Sequence, residues 1–355
     1  MQTIIENWRK GVVYSMTNAA PCNEVIAFRR GINGTLTRLK AFATGGSGTG
    51  ANKVDPLSSQ GSLILSRFGR FLYAVNAGSG SISSFSVSES GMLTLVDVKS
   101  SGGVKPNSLA VFGNLLYVSN MGNAANNVAS NIIGFRVQND GRLTRITGSR
   151  RMLSTANAQP SCIVFNRKGR WLVVSELNTN RLSVFRVRGD GTLTGPTINN
   201  SNGAGPFGSV FLCTGVLLVS EVGPNALSTY TVAANGKLNV ISGSVLNGQK
   251  ATCWVSVSRH EHFAYSSNSG NDTITIYRIQ NGKLSVVKTV PSTPDMTAAP
   301  IDSGVSKDGR NFYVLNGNKG SISVFHINNN GRLIRLQVFK NTGLPRVGAQ
   351  GLAVR

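Results

Sequence analysis

Two glutamates share one local setting, Val174-Ser175-Glu176 and Val219-Ser220-Glu221, and five asparagines, Asn18, Asn76, Asn120, Asn268 and Asn316, close equivalent apolar segments elsewhere in the chain. A carboxylate at the mouth of a cavity can act as a general acid or base, most usefully where its surroundings raise its pKa. Glu176 and Glu221 are therefore the candidate catalytic pair. An asparagine at the same position either caps its own turn through the backbone or, as proposed for Asn268 and Asn316, faces a ligand. Lys105, Lys250 and Arg346 are candidate anion holders, Asp302 follows Pro300, and Trp254 and Phe207 are candidate channel linings. Such groups around one funnel suit a small anionic or carbonyl ligand; ordinary loop charges are the alternative.

Other chemistries are excluded by what is missing. The three histidines, His260, His262 and His326, fall away from that funnel, which argues against a His-centred triad or a zinc site there. No P-loop, GxSxG or EF-hand spacing occurs, and a dinucleotide fingerprint would need a βαβ unit. No metal and no cofactor are expected. Cys22, Cys162, Cys213 and Cys253 are scattered without a CxxC and read as small buried hydrophobes.

The elements that must position these residues come from a repeat. A turn of Asn, Asp or Ser, then Gly, one residue and Leu recurs seven times, centred on Gly34, Gly91, Gly141, Gly191, Gly236, Gly282 and Gly331. The steps between them are 57, 50, 50, 45, 46 and 49 residues. Asn-Gly and Asp-Gly suit tight hairpins, whose central positions take positive φ. A period-two strand precedes each turn, as at 81–87, 182–187 and 322–327, and a more continuous apolar strand precedes that, as at 71–75, 171–174 and 312–315. One unit thus holds four strands, A to D, and the repeated turn joins C to D. Seven units closing into a ring make an all-β, seven-bladed β-propeller of antiparallel blades, a single domain over 1–355. Residues 1–10 read as an N-terminal extension. Residues 11–18 read as a strand B lacking its A, and 347–355 as a strand A lacking its B, so the tail closes the ring. Helix content should be near zero.

In such a blade the ends of B and D share one face, the top, with the starts of A. The A–B and C–D turns share the other. The chain carries 36 Lys plus Arg against 14 Asp plus Glu, a net charge of +22 in 355 residues. Many of these cations fall in bottom-face turns, Arg67, Arg70, Arg167, Lys168, Arg170, Arg259, Lys307 and Arg310 among them. That distribution either attracts an acidic polymer or serves solubility. There is no run of about 18 apolar residues, so neither a membrane span nor a membrane partner is expected. No secretory signal is visible, which leaves the compartment open and tilts it towards the cytoplasm.

The units GRFLYAVNAGSGSISSFSV (69–87), GRWLVVSELNTNRLSVFRV (169–187) and GRNFYVLNGNKGSISVFHI (309–327) are similar to repeats of the seven-bladed propeller lactonases. That group includes 6-phosphogluconolactonase of the propeller type and fungal carboxymuconate cyclase. The resemblance spans roughly 11–354 and implies hydrolysis or cyclisation of a small carboxylated lactone in the top funnel. Members often carry Gly-Pro-Arg-His at the start of one strand A and Asn-Glu-Leu at the end of the following strand B. Here the first reads Gly205-Pro206-Phe207-Gly208, without Arg and His, and the second Ser220-Glu221-Val222, with the Glu kept; Ser175-Glu176-Leu177 matches one unit earlier. The alternative is a non-catalytic scaffold that binds an acidic polymer or a protein through its basic face.

Overall fold

The computed structural model describes residues 11–50 and 53–355; the expected extension at 1–10 lies outside the described residues. Seven sheets are arranged as blades 1 to 7. In blade 1 the tail, Gln350–Val354, pairs antiparallel with Val12–Met16, which leads to Glu24–Arg30 and Leu36–Ala43. The ring is closed by this strand, as expected. Blade 3 departs in its outer strand, which is split into Leu143–Arg145 and Arg151–Met152, both against Asn131–Val137. Among the described residues, helix is confined to one 3-10 turn, Ala124–Asn126.

The repeated turn works by a variant of the expected geometry. All seven of its glycines have positive φ, between 77° and 91°. Among the described residues a second positive φ accompanies the glycine in Asn281-Gly282 alone. The other six use a longer loop in which a single left-handed glycine returns the chain, as in Gly31–Thr35, where Gly31 N–H reaches Thr35 C=O at 2.8 Å. In six blades the C–D ladder slips beside an aromatic of strand C, at Phe28, Phe85, Phe185, Tyr230, Tyr277 and Phe325. A bulge there deepens the twist that a propeller blade needs.

Neighbouring blades are joined by apolar packing and by recurring hydrogen bonds, one of them from tyrosine. A buried tyrosine of strand B donates to the C–D glycine carbonyl of the next blade: Tyr14 to Gly91 at 2.7 Å, Tyr117 to Gly191 at 2.8 Å, Tyr265 to Gly331 at 3.2 Å and Tyr313 to Gly34 at 2.9 Å. The last spans the seam between blades 7 and 1. Tyr313→Phe should therefore lower stability by about 1 kcal/mol, because Gly34 C=O loses its phenol donor; the urea midpoint should fall with the m-value unchanged.

Candidate functional site

The funnel on the axis is not open. Residues 53–62, between strand D of blade 1 and the short strand A of blade 2, Leu63–Leu65, descend from the top face into the channel. Their polar groups are met by almost every blade. Gln60 N–H donates to Ser161 C=O at 2.9 Å and its Nε2 to Ser209 C=O at 3.1 Å, while its Oε1 accepts from Val255 N–H at 2.8 Å. Ser108 Oγ donates to Gln60 C=O at 2.5 Å, Ser59 Oγ to Asn107 C=O at 2.7 Å, and Trp254 Nε1 to Ser59 C=O at 3.0 Å. Gln350, from the tail strand, donates to Val54 C=O at 3.4 Å. The segment is a plug whose backbone needs are satisfied by backbone and small polar groups of blades far apart in sequence.

Two carboxyls meet where the plug reaches the axis, the half-buried Asp55 and the buried Asp302. Burial pushes Asp55 up to about 7; backbone N–H groups of Ser58 and Ser59 and the charge of Lys53 oppose it. Burial also raises Asp302 to about 7, helped by the charge of Asp55, while Gly351 N–H, at 2.9 Å from Oδ2, opposes it. Asp55 Oδ1 and Gln350 Oε1 are both shut off from solvent without a donor. The Gln350 amide is oriented by Nε2, which gives hydrogen bonds to Val54 and Ala349 carbonyls, so Oε1 must accept from elsewhere. An ionised Asp55 can only accept as well. The Gln350 side chain also lies in hydrogen-bond reach of Asp55, a contact that favours the ionised carboxylate and so works against burial.

Above the plug a half-open cavity of about 290 Å³ remains at the top face. Its floor is Pro56, Leu57 and Ser58, and its walls include Lys53, Thr49, Met121 and the two residues that precede strands A of blades 3 and 4, Lys105 and Gln159. Lys105 and Gln159 have left-handed backbones, φ 53° and 50°, each just before a proline. Gly205, Ala251 and Ala299 repeat that conformation in blades 5 to 7, so it belongs to the way each strand A starts and not to the cavity alone. Both lysines are exposed, and neither forms an ion pair among the described residues.

The predicted site residues separate into groups. Lys105 lines the cavity. Asp302, Trp254 and Phe207 gather on the axis, but the aromatics are buried against the plug and each other, edge-to-face at 5.0 Å, and do not line an open mouth. Lys250 and Arg346 are exposed on other top-face loops and are not part of the cavity wall. Asn316 donates to Ser321 and Ser323 at 3.0 and 2.9 Å, and Asn268 to Thr273 and Thr275 at 3.1 and 2.9 Å; both are fully buried clasps between strands B and C.

Glu176 and Glu221 occupy the same niche. Glu176 accepts from Ser183 Oγ at 2.5 Å, Thr179 Oγ1 at 2.8 Å, and the backbone and hydroxyl of Ser154. Glu221 accepts from Ser244 Oγ at 2.6 Å, Gly203 N–H at 2.8 Å, Tyr230 at 3.3 Å and Ser201 at 3.4 Å. These donors lie on strands C and D, on the B–C turn that holds Thr179, and on the loops entering their blades. Both side chains are fully buried, and neither touches the cavity. Of the cysteines, Cys162 and Cys253 are buried near the axis, but Cys22 and Cys213 are exposed, against expectation. Asp55, Gln60, Gln350 and Lys53 were not singled out by the sequence. The one available signal was the 57-residue first step of the repeat, which reflects the long connection that becomes the plug.

Among the described residues no three His, Cys, Asp or Glu side chains are grouped as metal ligands, and no helix is long and apolar enough to cross a membrane. A closed ring of seven four-stranded blades, plugged on its axis and hollowed at the face where D–A loops converge, defines a seven-bladed propeller with a top-face cavity. The chain belongs to the family described as "Lactonase, 7-bladed beta-propeller", whose sequence profile matches residues 10–128, 108–211 and 219–346. It is 24% identical over 190 residues to an uncharacterized protein of Lactococcus lactis subsp. cremoris, a match that covers 49% of this chain and only 55% of that relative. In fold it is similar to the periplasmic gluconolactonase of Pseudomonas aeruginosa, with a TM-score of 0.72 at 16% identity over 96% of this chain and 98% of that one. A protein from Lactobacillus plantarum superposes with a TM-score of 0.75 at 15% identity, over 98% and 99% of the two chains.

Proposed function

We propose that this lactonase-family propeller takes a small anionic lactone, or the hydroxy acid it opens to, in the top-face cavity. The observation that carries the reading is the pair of free ammonium groups, Lys53 and Lys105, on the wall of a cavity of sugar-acid size. Membership of the lactonase family supports the ligand class. One ammonium would hold the carboxylate or phosphate. The other would stabilise the oxyanion that forms as water adds to the ring carbonyl. No carboxylate is on the cavity wall among the described residues, so water or hydroxide attacks without a general base and the rate rises with pH. Glu176 lies behind the wall, its backbone paired with Pro160 next to Gln159, and its oxygens are already taken by donors.

The test is titration and hydrolysis with glucono-δ-lactone and its 6-phosphate. The phosphorylated lactone should bind more tightly, and Lys53→Ala and Lys105→Ala should each weaken it roughly tenfold or more, the scale of a charge-assisted hydrogen bond. Equal binding of the two lactones, or no loss in the double variant, would sink the assignment. Glu176→Gln and Glu221→Gln should leave kcat within a few-fold; a drop of more than about a hundredfold at unchanged KM would make that glutamate the base.

A further inference from the structure

The bottom face holds a charge distribution that the lactone site does not use. Around the inner edge run Arg355 from blade 1, Arg67 and Arg70 from blade 2, Arg167, Lys168 and Arg170 from blade 4, Arg259 from blade 6, and Lys307 and Arg310 from blade 7; apart from Arg355, which is partly exposed, all are exposed. Outside them the C–D hairpins of blades 3 to 7 add Arg142, Arg188, Lys237, Lys283 and Arg332. The acids on this face are mostly engaged. Glu261 pairs with Arg167 at 3.1 Å and accepts from Cys213 N–H; Asp308 pairs with buried Arg30 at 2.7 Å; Asp140 pairs with Arg142 at 3.3 Å; Asp190 accepts from Thr192. Arg167 and Arg142 are the members of the two rings that have a carboxylate within ion-pair distance among the described residues.

Two further side chains set the kind of partner. Phe68, 74% exposed, and Ile32, 64% exposed, are the most exposed large apolar residues described. Both are on this face, Phe68 in the A–B turn of blade 2 and Ile32 in the C–D hairpin of blade 1. Phe68 stands between Arg67 and Arg70, with the Arg67 guanidinium 5.5 Å from its ring. A linear polyanion would meet a stripe or groove of cations, with the rest idle. Here the cations spread over two rings of one face, and apolar residues project among them. Against the expectation of no membrane partner, which rested on the lack of a spanning run alone, we infer that the bottom face docks peripherally on an anionic lipid bilayer, with the arginine rings over the headgroups and Phe68 and Ile32 inserted at the interface.

Cosedimentation tests this with the whole protein, using vesicles of phosphatidylcholine alone and with about a third phosphatidylglycerol. The protein should partition onto the anionic vesicles only, and less as salt rises. Arg67→Ser with Arg70→Ser and Arg310→Ser should lower partitioning by roughly fivefold per charge. Phe68→Ser with Ile32→Ser should lower it several-fold at unchanged net charge. Circular dichroism and thermal melting confirm that the exposed-site variants stay folded. Equal partitioning onto neutral vesicles, or none onto anionic ones at low salt, overturns the inference. So does tight binding of a single-stranded oligonucleotide by protein that ignores the vesicles, which would assign the face to nucleic acid.

Discussion

Asp55→Asn should make the protein more stable at pH 8 and leave it nearly unchanged at pH 4. Asp55 is half-buried, with its Oδ1 shut off from solvent, and desolvation raises the carboxyl to about 7, against an ordinary value near 3.9. Between those two values the folded protein holds a proton that the unfolded chain releases. Stability therefore falls as pH rises through this window and levels off above about 7. Three pH units at 1.36 kcal/mol each give a loss on the order of 4 kcal/mol from this group. The groups around it are Lys53, whose charge opposes the shift, Asp302, which is itself raised by the charge of Asp55, and the buried Cys253 thiol.

Asparagine imitates the protonated acid in shape: it can both donate and accept, and it cannot ionise. The variant should thus keep the plug and lose most of the pH dependence. Part of Asp302's shift should vanish with it, since the like charge is gone. Urea unfolding of both proteins from pH 4 to 9 measures the difference. Parallel stability curves would show that Asp55 is not the group that titrates, and a slope that survives in Asp55→Asn but disappears in Asp302→Asn would move the role to Asp302.

The fold was legible because its signal is periodic and local. Seven turns with Gly34, Gly91 and their counterparts, each after a period-two strand, leave little but a propeller, and the unmatched strands at 11–18 and 347–355 point to the closure that the tail makes with Val12–Met16. The polar ring at the ends of strands B was legible in position and misleading in role. Position in a strand does not say which neighbours a side chain takes. A clue was present: a hydroxyl lies seven residues beyond Asn76, Glu176, Asn268 and Asn316, at Ser83, Ser183, Thr275 and Ser323, and each pair is hydrogen-bonded. Asparagine donates its amide to this hydroxyl row, whereas Glu176 accepts from it, so the same buried position is kept with the bond reversed. The plug was hidden for a different reason. Residues 53–62 have an ordinary loop composition, and their partners are backbone and side-chain groups of blades 3 to 6 and of the tail strand, whose proximity no local pattern encodes.

Arg30→Ala should be the most damaging single change at the seam where the first blade meets the last. Arg30 ends strand C of blade 1 and is 3% exposed. Its Nη2 lies 2.7 Å from Asp308 Oδ2 and 2.6 Å from Asn311 Oδ1, and its Nε donates to the same Asn311 oxygen at 3.2 Å. Both partners belong to blade 7, so the guanidinium joins elements about 280 residues apart that also meet through packing, the Tyr313–Gly34 bond, the Leu36–Gln337 pair and the Gly351–Asp302 bond. Truncation leaves Asp308 without its cation and the buried Asn311 without its donors. Breaking one side of a buried pair costs about 3–5 kcal/mol, and the partial exposure of Asp308, 24%, places the expected loss near the lower figure. The pH dependence provides a check. Burial would raise Asp308, but the Ser306 hydroxyl and Arg30 hold it below the ordinary carboxylate value. A lowered acid adds stability above its unfolded pKa and loses it as pH falls through the folded value. The gap between wild type and Arg30→Ala should accordingly be full at pH 7 and narrow towards pH 3. Arg30→Lys keeps the charge but not the fork that spans Asp308 and Asn311, and should fall between them. A loss under about 1 kcal/mol at pH 7 would mean that apolar packing, the tail strand and the other seam hydrogen bonds hold the closure without Arg30.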